Sequence, residues 1–102
     1  MPKVHYGNNP RTGYAIIYFT ESETRRIVDD SSPIGAIIAS LVPEAALRTA
    51  ILVIAFALRS KARRCLNRGK CLSITVQGLA AIPREYTPGV DDIPPEATWN
   101  WS

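Results

Sequence analysis

The sequence predicts one small α+β domain, in which an antiparallel sheet of about three strands packs against a hydrophobic helical pair. Three observations lead to this fold class. Short β-branched and aromatic segments lie near both ends of the chain, segments with helical periodicity lie between them, and Gly, Pro and Asn separate the segments. The predicted order of elements is β-β-α-α-α-β. With 102 residues, 46% of them hydrophobic, the chain has the size and composition of a single globular domain.

Three segments have the composition of strands. Val4–Tyr6 and Tyr14–Thr20 flank a stretch rich in Asn, Pro and Gly, which favours a tight turn and therefore a hairpin. Tyr14–Thr20 is apolar on both sides, which indicates a central strand. In Cys71–Gln77 apolar and polar residues alternate, as expected for a strand with one face toward solvent.

Two helix starts precede the middle of the chain. Thr20 and Glu23 have the spacing of a capping box, which predicts a short first helix. Ser32 suits the cap of a second helix and Pro33 suits its first position, because proline has no N–H to leave unbonded there. Pro43 is expected to end this helix or kink it, because its ring clashes with the preceding turn.

A long third helix is predicted from Pro43 to about Asn67. Its first half is apolar on every side, with Leu52, Val53 and Phe56 opposite the main apolar stripe. A helix of this kind is buried all round or contacts lipid or a partner. These three residues are therefore candidates for a hydrophobic interaction surface.

Residues 83–102 are predicted to form an extended, Pro-rich acidic tail after a single domain over residues 1–82. The tail ends in Trp-Asn-Trp, and Trp99 and Trp101 would each gain by leaving water, so they join the candidate hydrophobic interaction residues. We expect the two indoles to dock on the domain, on a second subunit or at a membrane interface. The acidic tail is expected to lie across the basic region or a neighbouring subunit.

The net charge of +3 is divided unevenly along the chain. Residues 48–84 contain basic residues and no acidic ones, whereas residues 85–102 contain acidic residues and no basic ones. Such asymmetry favours contact with an anionic partner, whose phosphates can belong to lipid headgroups or to nucleic acid. The candidate residues for binding an anionic surface are Arg59, Lys61, Arg63, Arg64, Arg68 and Lys70.

Cys65 and Cys71 are predicted to form a disulfide. One lies near the end of a helix and the other at the start of a strand, and a glycine turn between them can bring the Cα atoms within the roughly 4.4–6.8 Å that a disulfide needs. A disulfide predicts a secreted protein, whereas reduced cysteines would indicate the cytoplasm. The first ten residues lack the apolar region of a signal peptide, and no apolar run reaches the ~20 residues of a membrane-spanning helix.

No catalytic, cofactor-binding or metal site is predicted. His5 is the single histidine, and together with two cysteines it does not supply a tetrahedral ligand set. The carboxylates of Asp29-Asp30 and of Asp91-Asp92 are adjacent in sequence, so the side chains of each pair diverge rather than face one bond. Motifs of nucleotide-binding loops, zinc proteases and serine hydrolases are absent from the sequence. The protein is therefore predicted not to be an enzyme.

The function predicted from these features is that of a small cationic protein that acts on membranes, as antimicrobial or toxin-like proteins do. The apolar helical pair Pro33–Leu58 would insert and the basic residues would recruit anionic lipid. Two alternatives stay open. The protein can be an interaction or homo-oligomeric assembly module whose apolar helix another subunit covers. It can also bind nucleic acid, which is less favoured because few stacking aromatics accompany the basic residues.

Overall fold

The computed structural model describes residues 2–6 and 14–89. The described residues form four strands and four helices. The strands are β1 (Lys3–Tyr6), β2 (Tyr14–Tyr18), β3 (Cys71–Gln77) and β4 (Ala80–Tyr86), and the helices are α1 (Glu21–Asp29), α2 (Ile34–Leu41), α3 (Ala45–Val53) and α4 (Ala55–Asn67). The predicted α+β class is confirmed, with the helices in the middle of the chain.

The strands form one antiparallel sheet in the order β1-β2-β3-β4, so β2 is a central strand as predicted. Val4 lies opposite Ile17, Ile17 opposite Ile74, and Ile74 opposite Pro83. Residues directly opposite each other share one face of a sheet. This row therefore marks the face on which the helices pack, and the alternate residues of each strand lie on the outer face.

Strand β4 corrects the prediction that an extended tail begins at Pro83. The segment from Pro83 to Tyr86 pairs with β3, so the described part of the chain has a fourth strand where about three were expected. Proline cannot donate a hydrogen bond to a sheet, which excludes it from central strands but not from edge strands such as β4. Gly78, with φ +60°, and Leu79 form the turn that joins β3 to β4. The predicted positions of Trp99 and Trp101 lie outside the described residues.

The predicted long helix is divided into α3 and α4 at Ile54. The N–H of Ile54 donates to the carbonyl of Ile51 at 3.0 Å, three residues back, and its φ and ψ of −105° and 13° depart from helical values. A straight helix over residues 45–67 would be roughly 35 Å long, but a seven-residue strand spans only about 24 Å. The break lets both helices contact β3 and β4.

The core lies between the sheet and the helices. Ile17, Phe19 and Ile74 of the sheet side are buried against the inner faces of the helices, whose fully buried residues include Ile38 and Leu58. The inner faces of the apolar pair predicted to insert into membranes therefore belong to the core of the domain. Within the described residues, no helix has the length and hydropathy needed to span a bilayer.

Helix α1 is fixed to the sheet through its first turn. The capping box is present, because the N–H of Glu23 donates to Thr20 Oγ1 at 3.2 Å and the N–H of Thr20 donates to Glu23 Oε1 at 2.8 Å. Thr24 is fully buried, and its hydroxyl donates to the Thr20 carbonyl at 2.8 Å and accepts from the N–H of Leu72 in β3 at 3.2 Å. This one hydroxyl thus connects α1 to β3, an inner strand of the sheet.

Replacing this hydroxyl by a methyl group should destabilise the domain. Thr24→Val keeps the volume but leaves the buried N–H of Leu72 without its acceptor, which costs about 1–3 kcal/mol of unfolding free energy. Thr49→Val is the matched control, because the Thr49 hydroxyl donates to the Ala45 carbonyl on an exposed helix side. We expect the control to change the unfolding free energy by less than about 0.5 kcal/mol in urea titrations. Equal effects of the two substitutions would contradict the assigned role of Thr24.

Candidate functional site

The junction of α3 and α4 presents apolar side chains to solvent. Leu52 is 43% exposed, Val53 65% and Phe56 89%. Leu52 also lies beside α2, since a Cβ on Gly35 would be 3.6 Å from its Cδ2 atom. The structure therefore places the three helical residues predicted for hydrophobic interaction at the surface, and Val53 and Phe56 project furthest from it.

Helical spacing brings cations to the same side of α4 as Phe56. Phe56, Ser60 and Arg63 are four and three residues apart, so they form one stripe, and all three are exposed. Arg64 is exposed beside this stripe, whereas Leu58 on the opposite side of α4 is fully buried. The outer side of α4 thus combines a protruding aromatic ring with two guanidinium groups.

Arg59 has a structural position rather than an exposed one. Its Nη2 atom donates to the carbonyl of Asp30 at 3.0 Å and to the carbonyl of Ser32 at 2.5 Å. These carbonyls belong to the connection between α1 and α2. Arg59 therefore holds that connection against α4, and its guanidinium is directed inward rather than toward a partner.

Arg68 and Lys70 form ion pairs with Glu85 of β4. Arg68 Nη1 lies 3.0 Å from Glu85 Oε1, and Lys70 Nζ lies 3.6 Å from the same oxygen. Burial acts to raise the pKa of Glu85, but the hydrogen bond from Arg68 and the charges of Arg68, Lys70 and Lys61 outweigh it, so the pKa is lowered. Glu85 belongs to the segment predicted to lie across the basic region, and this one residue does contact it. The acidic residues beyond it lie outside the described residues.

The six candidate cations thus occupy different environments. Lys61, Arg63 and Arg64 make no ion pair with any residue in the described ranges 2–6 and 14–89. Residues 45–84 contain no Asp or Glu, so no acidic residue of α3, α4 or β3 offsets these charges. The charge of Lys61 acts on Glu85, so the uncompensated positive charge of α4 is that of Arg63 and Arg64, on the same side of the helix as Phe56.

The predicted disulfide is absent from the structure, in which Cys65 and Cys71 are both buried thiols. Cys65 packs in the core with Leu72, but Cys71 lies opposite Tyr86, on the outer face of the sheet. The alternation of β3 directs Cys71 away from the side on which Cys65 lies. Burial raises the pKa of Cys65, although the charge of Lys61 partly offsets this.

The described residues contain no group of three or more His, Cys, Asp or Glu side chains arranged to hold a metal ion. His5 is buried in β1, and this burial lowers its pKa. Asp30 accepts a hydrogen bond from the N–H of Ser32 at 2.8 Å and pairs with Arg26 at 3.5 Å, so its role is to stabilise the end of α1.

Two further exposed apolar residues were not identified from the sequence. Leu79, in the turn between β3 and β4, is 82% exposed, and Ile82 on the outer face of β4 is 50% exposed. Predicting either position requires β4 to be recognised as a strand. Unlike Phe56, Ile82 lies on the face of the sheet opposite the helices.

Comparison of the chain with known protein families, with curated proteins and with solved structures gives no match. The function must therefore be inferred from the residues and their arrangement.

The state of the cysteines gives a direct test of the fold around β3. Unfolded without reductant, the protein should show two thiols per chain, and in the folded protein both should react much more slowly because both are buried. Quantitative labelling with a thiol reagent measures both. Two thiols would also favour the cytoplasm over secretion. No thiol in the unfolded protein would restore the predicted disulfide and contradict the arrangement described here.

Proposed function

We propose that the protein is a non-enzymatic peripheral membrane-binding protein that docks on anionic lipid through the outer side of α3 and α4. The observation that carries this proposal is that exposed Phe56 lies on the same side of α4 as exposed Arg63, with Val53 exposed at the end of α3 and no acidic residue on either helix. Apolar side chains next to cations are the features by which interfacial helices bind membranes.

Shallow docking fits the structure better than insertion of the whole helical pair. The inner sides of these helices are core, with Ile38, Ile51 and Leu58 each fully buried. Exposing them to lipid would require the domain to unfold, and the net stability of a folded domain is typically about 5–15 kcal/mol. Val53 and Phe56 can enter the headgroup and acyl boundary while the domain remains folded.

The expected strength of docking follows from a few groups. Burial of a Phe side chain contributes about 1.5–3 kcal/mol, and each Lys or Arg near an anionic surface contributes about 1 kcal/mol. Phe56, Val53 and two or three cations therefore supply a few kcal/mol. Binding of this strength is reversible, and its electrostatic part weakens as salt is added.

A second copy of the chain fits this surface less well. A two-fold interface places the same patch of both subunits face to face, which would bring Arg63 and Arg64 of each copy together without an acidic partner on either helix. The surface area of three exposed apolar side chains is also smaller than the roughly 800 Å² that each partner buries in a stable interface. Nucleic acid also fits this surface less well, because Phe56 is the single exposed aromatic ring among the described residues and aliphatic Leu52 and Val53 cannot stack on bases.

Vesicle co-sedimentation of the full chain tests the proposal. We expect binding to phosphatidylcholine vesicles that contain phosphatidylglycerol and little binding to phosphatidylcholine alone. Phe56→Ser should lower the affinity about tenfold through lost apolar burial. The double change Arg63→Gln and Arg64→Gln should lower it about thirtyfold, at about 1 kcal/mol for each charge.

The matched controls are Leu79→Ser, an exposed apolar residue in a turn, and Arg84→Gln, a cation on the outer face of the sheet. Each should change the affinity less than about twofold. Equal losses for the control and test variants, or absence of binding to anionic vesicles, would contradict the proposal. Concentration-dependent assembly on sizing chromatography that Phe56→Ser abolishes would instead favour an assembly module. Salt-sensitive oligonucleotide binding without vesicle binding would favour nucleic acid.

A further inference from the structure

We propose that Arg68 and Lys70 form a binding site for a phosphate group, and that Glu85 occupies this site from within the chain. The site is separate from the outer side of α4 on which membrane docking was proposed. Its ligand chemistry is that of a phosphate anion, which free phosphate and a lipid headgroup have in common.

The first support is the excess of positive charge around one carboxylate. Arg68 and Lys70 lie 3.0 and 3.6 Å from Glu85 Oε1, and the charge of Lys61 also acts on Glu85. Two cations therefore contact one carboxylate oxygen, and a third acts on the carboxylate through its charge alone. The cluster keeps a net positive charge even with Glu85 in place, so it still attracts a further anion.

The second support is the incomplete use of the Glu85 carboxylate. Both cations approach Oε1, whereas the buried Oε2 atom has no hydrogen-bond donor among the described residues. The guanidinium of Arg68 thus does not form the two parallel hydrogen bonds that make carboxylate pairs strong. A phosphate group has more acceptor oxygens and a higher charge than a carboxylate, and it would engage both cations at once.

The third support is the accessibility of the cations. The side chain of Arg68 is 62% exposed and that of Lys70 is 39% exposed, whereas that of Glu85 is only 22% exposed. Ion pairs so open to water contribute little to stability, so exchange of one anion for another requires no unfolding.

NMR titration of the full chain with inorganic phosphate tests the site. Glu85→Gln removes the internal competitor, and we expect phosphate to shift the amide signals of Arg68 and Lys70 with an affinity about fivefold higher than in the unmodified chain. Glu44→Gln is the control, because it removes the same charge from an exposed glutamate at the start of α3 and should leave the affinity unchanged. Arg68→Gln with Lys70→Gln should abolish the shifts in either background, and this variant tests the site even if Glu85→Gln does not fold.

Equal affinities of Glu85→Gln and Glu44→Gln for phosphate, or shifts that persist without Arg68 and Lys70, would overturn the inference. A second titration with a short-chain phosphatidylglycerol below its micelle concentration distinguishes the source of the phosphate. Tighter binding of this lipid than of inorganic phosphate assigns the site to a headgroup, and equal binding assigns it to the phosphate group alone. The result is independent of vesicle docking, because loss of the Phe56 effect on vesicles would leave the phosphate shifts unchanged.

Discussion

The sheet covers α3 and α4 from one side only, and the exposed apolar surface follows from that constraint. Ile51 and Leu58 lie on the inner sides of these helices and are fully buried, whereas Val53 and Phe56 lie on their outer sides. In a two-layer α+β fold, a segment that is apolar all round cannot bury its whole circumference. The core and the proposed docking surface are therefore two sides of the same pair of helices, so the proposed docking requires no change of fold.

The distribution of charge determines which side of the helices carries unpaired cations. Because no acidic residue occurs between positions 45 and 84, intramolecular pairing of the cations depends on neighbouring segments. Arg59 donates hydrogen bonds to the connection of α1 and α2, and Arg68 and Lys70 form ion pairs with Glu85. Arg63 and Arg64 form no ion pair within the described part of the chain and are exposed on the same side of α4 as Phe56. A row of basic residues in the sequence thus becomes three environments in the fold, of which one is structural, one is internally occupied and one is exposed.

Features that depend on neighbouring residues were predicted correctly from the sequence, whereas features that depend on packing between distant segments were not. The capping box at Thr20 and the central position of β2 follow from nearby residues, and both are present. Strand β4 was not predicted because it contains Pro83, and a proline is compatible with a strand only where that strand lies at the edge of the sheet. The disulfide prediction considered the distance along the turn but not the face of β3 to which Cys71 belongs. The break at Ile54 accompanies the packing of both helices on β3 and β4, which no periodicity in the sequence reveals.

We expect the outer side of α4 to enter an anionic membrane while exposed Arg84, on the outer face of the sheet, stays in water. Phe56→Trp and Arg84→Trp, each made in a chain with Trp99→Phe and Trp101→Phe, report on these two surfaces by fluorescence. Phosphatidylglycerol vesicles with brominated acyl chains quench only indoles that reach the acyl region. We expect a blue shift and strong quenching for the indole at position 56, and unchanged emission for the indole at position 84. Equal quenching at both positions, or no quenching at position 56 of bound protein, would contradict it.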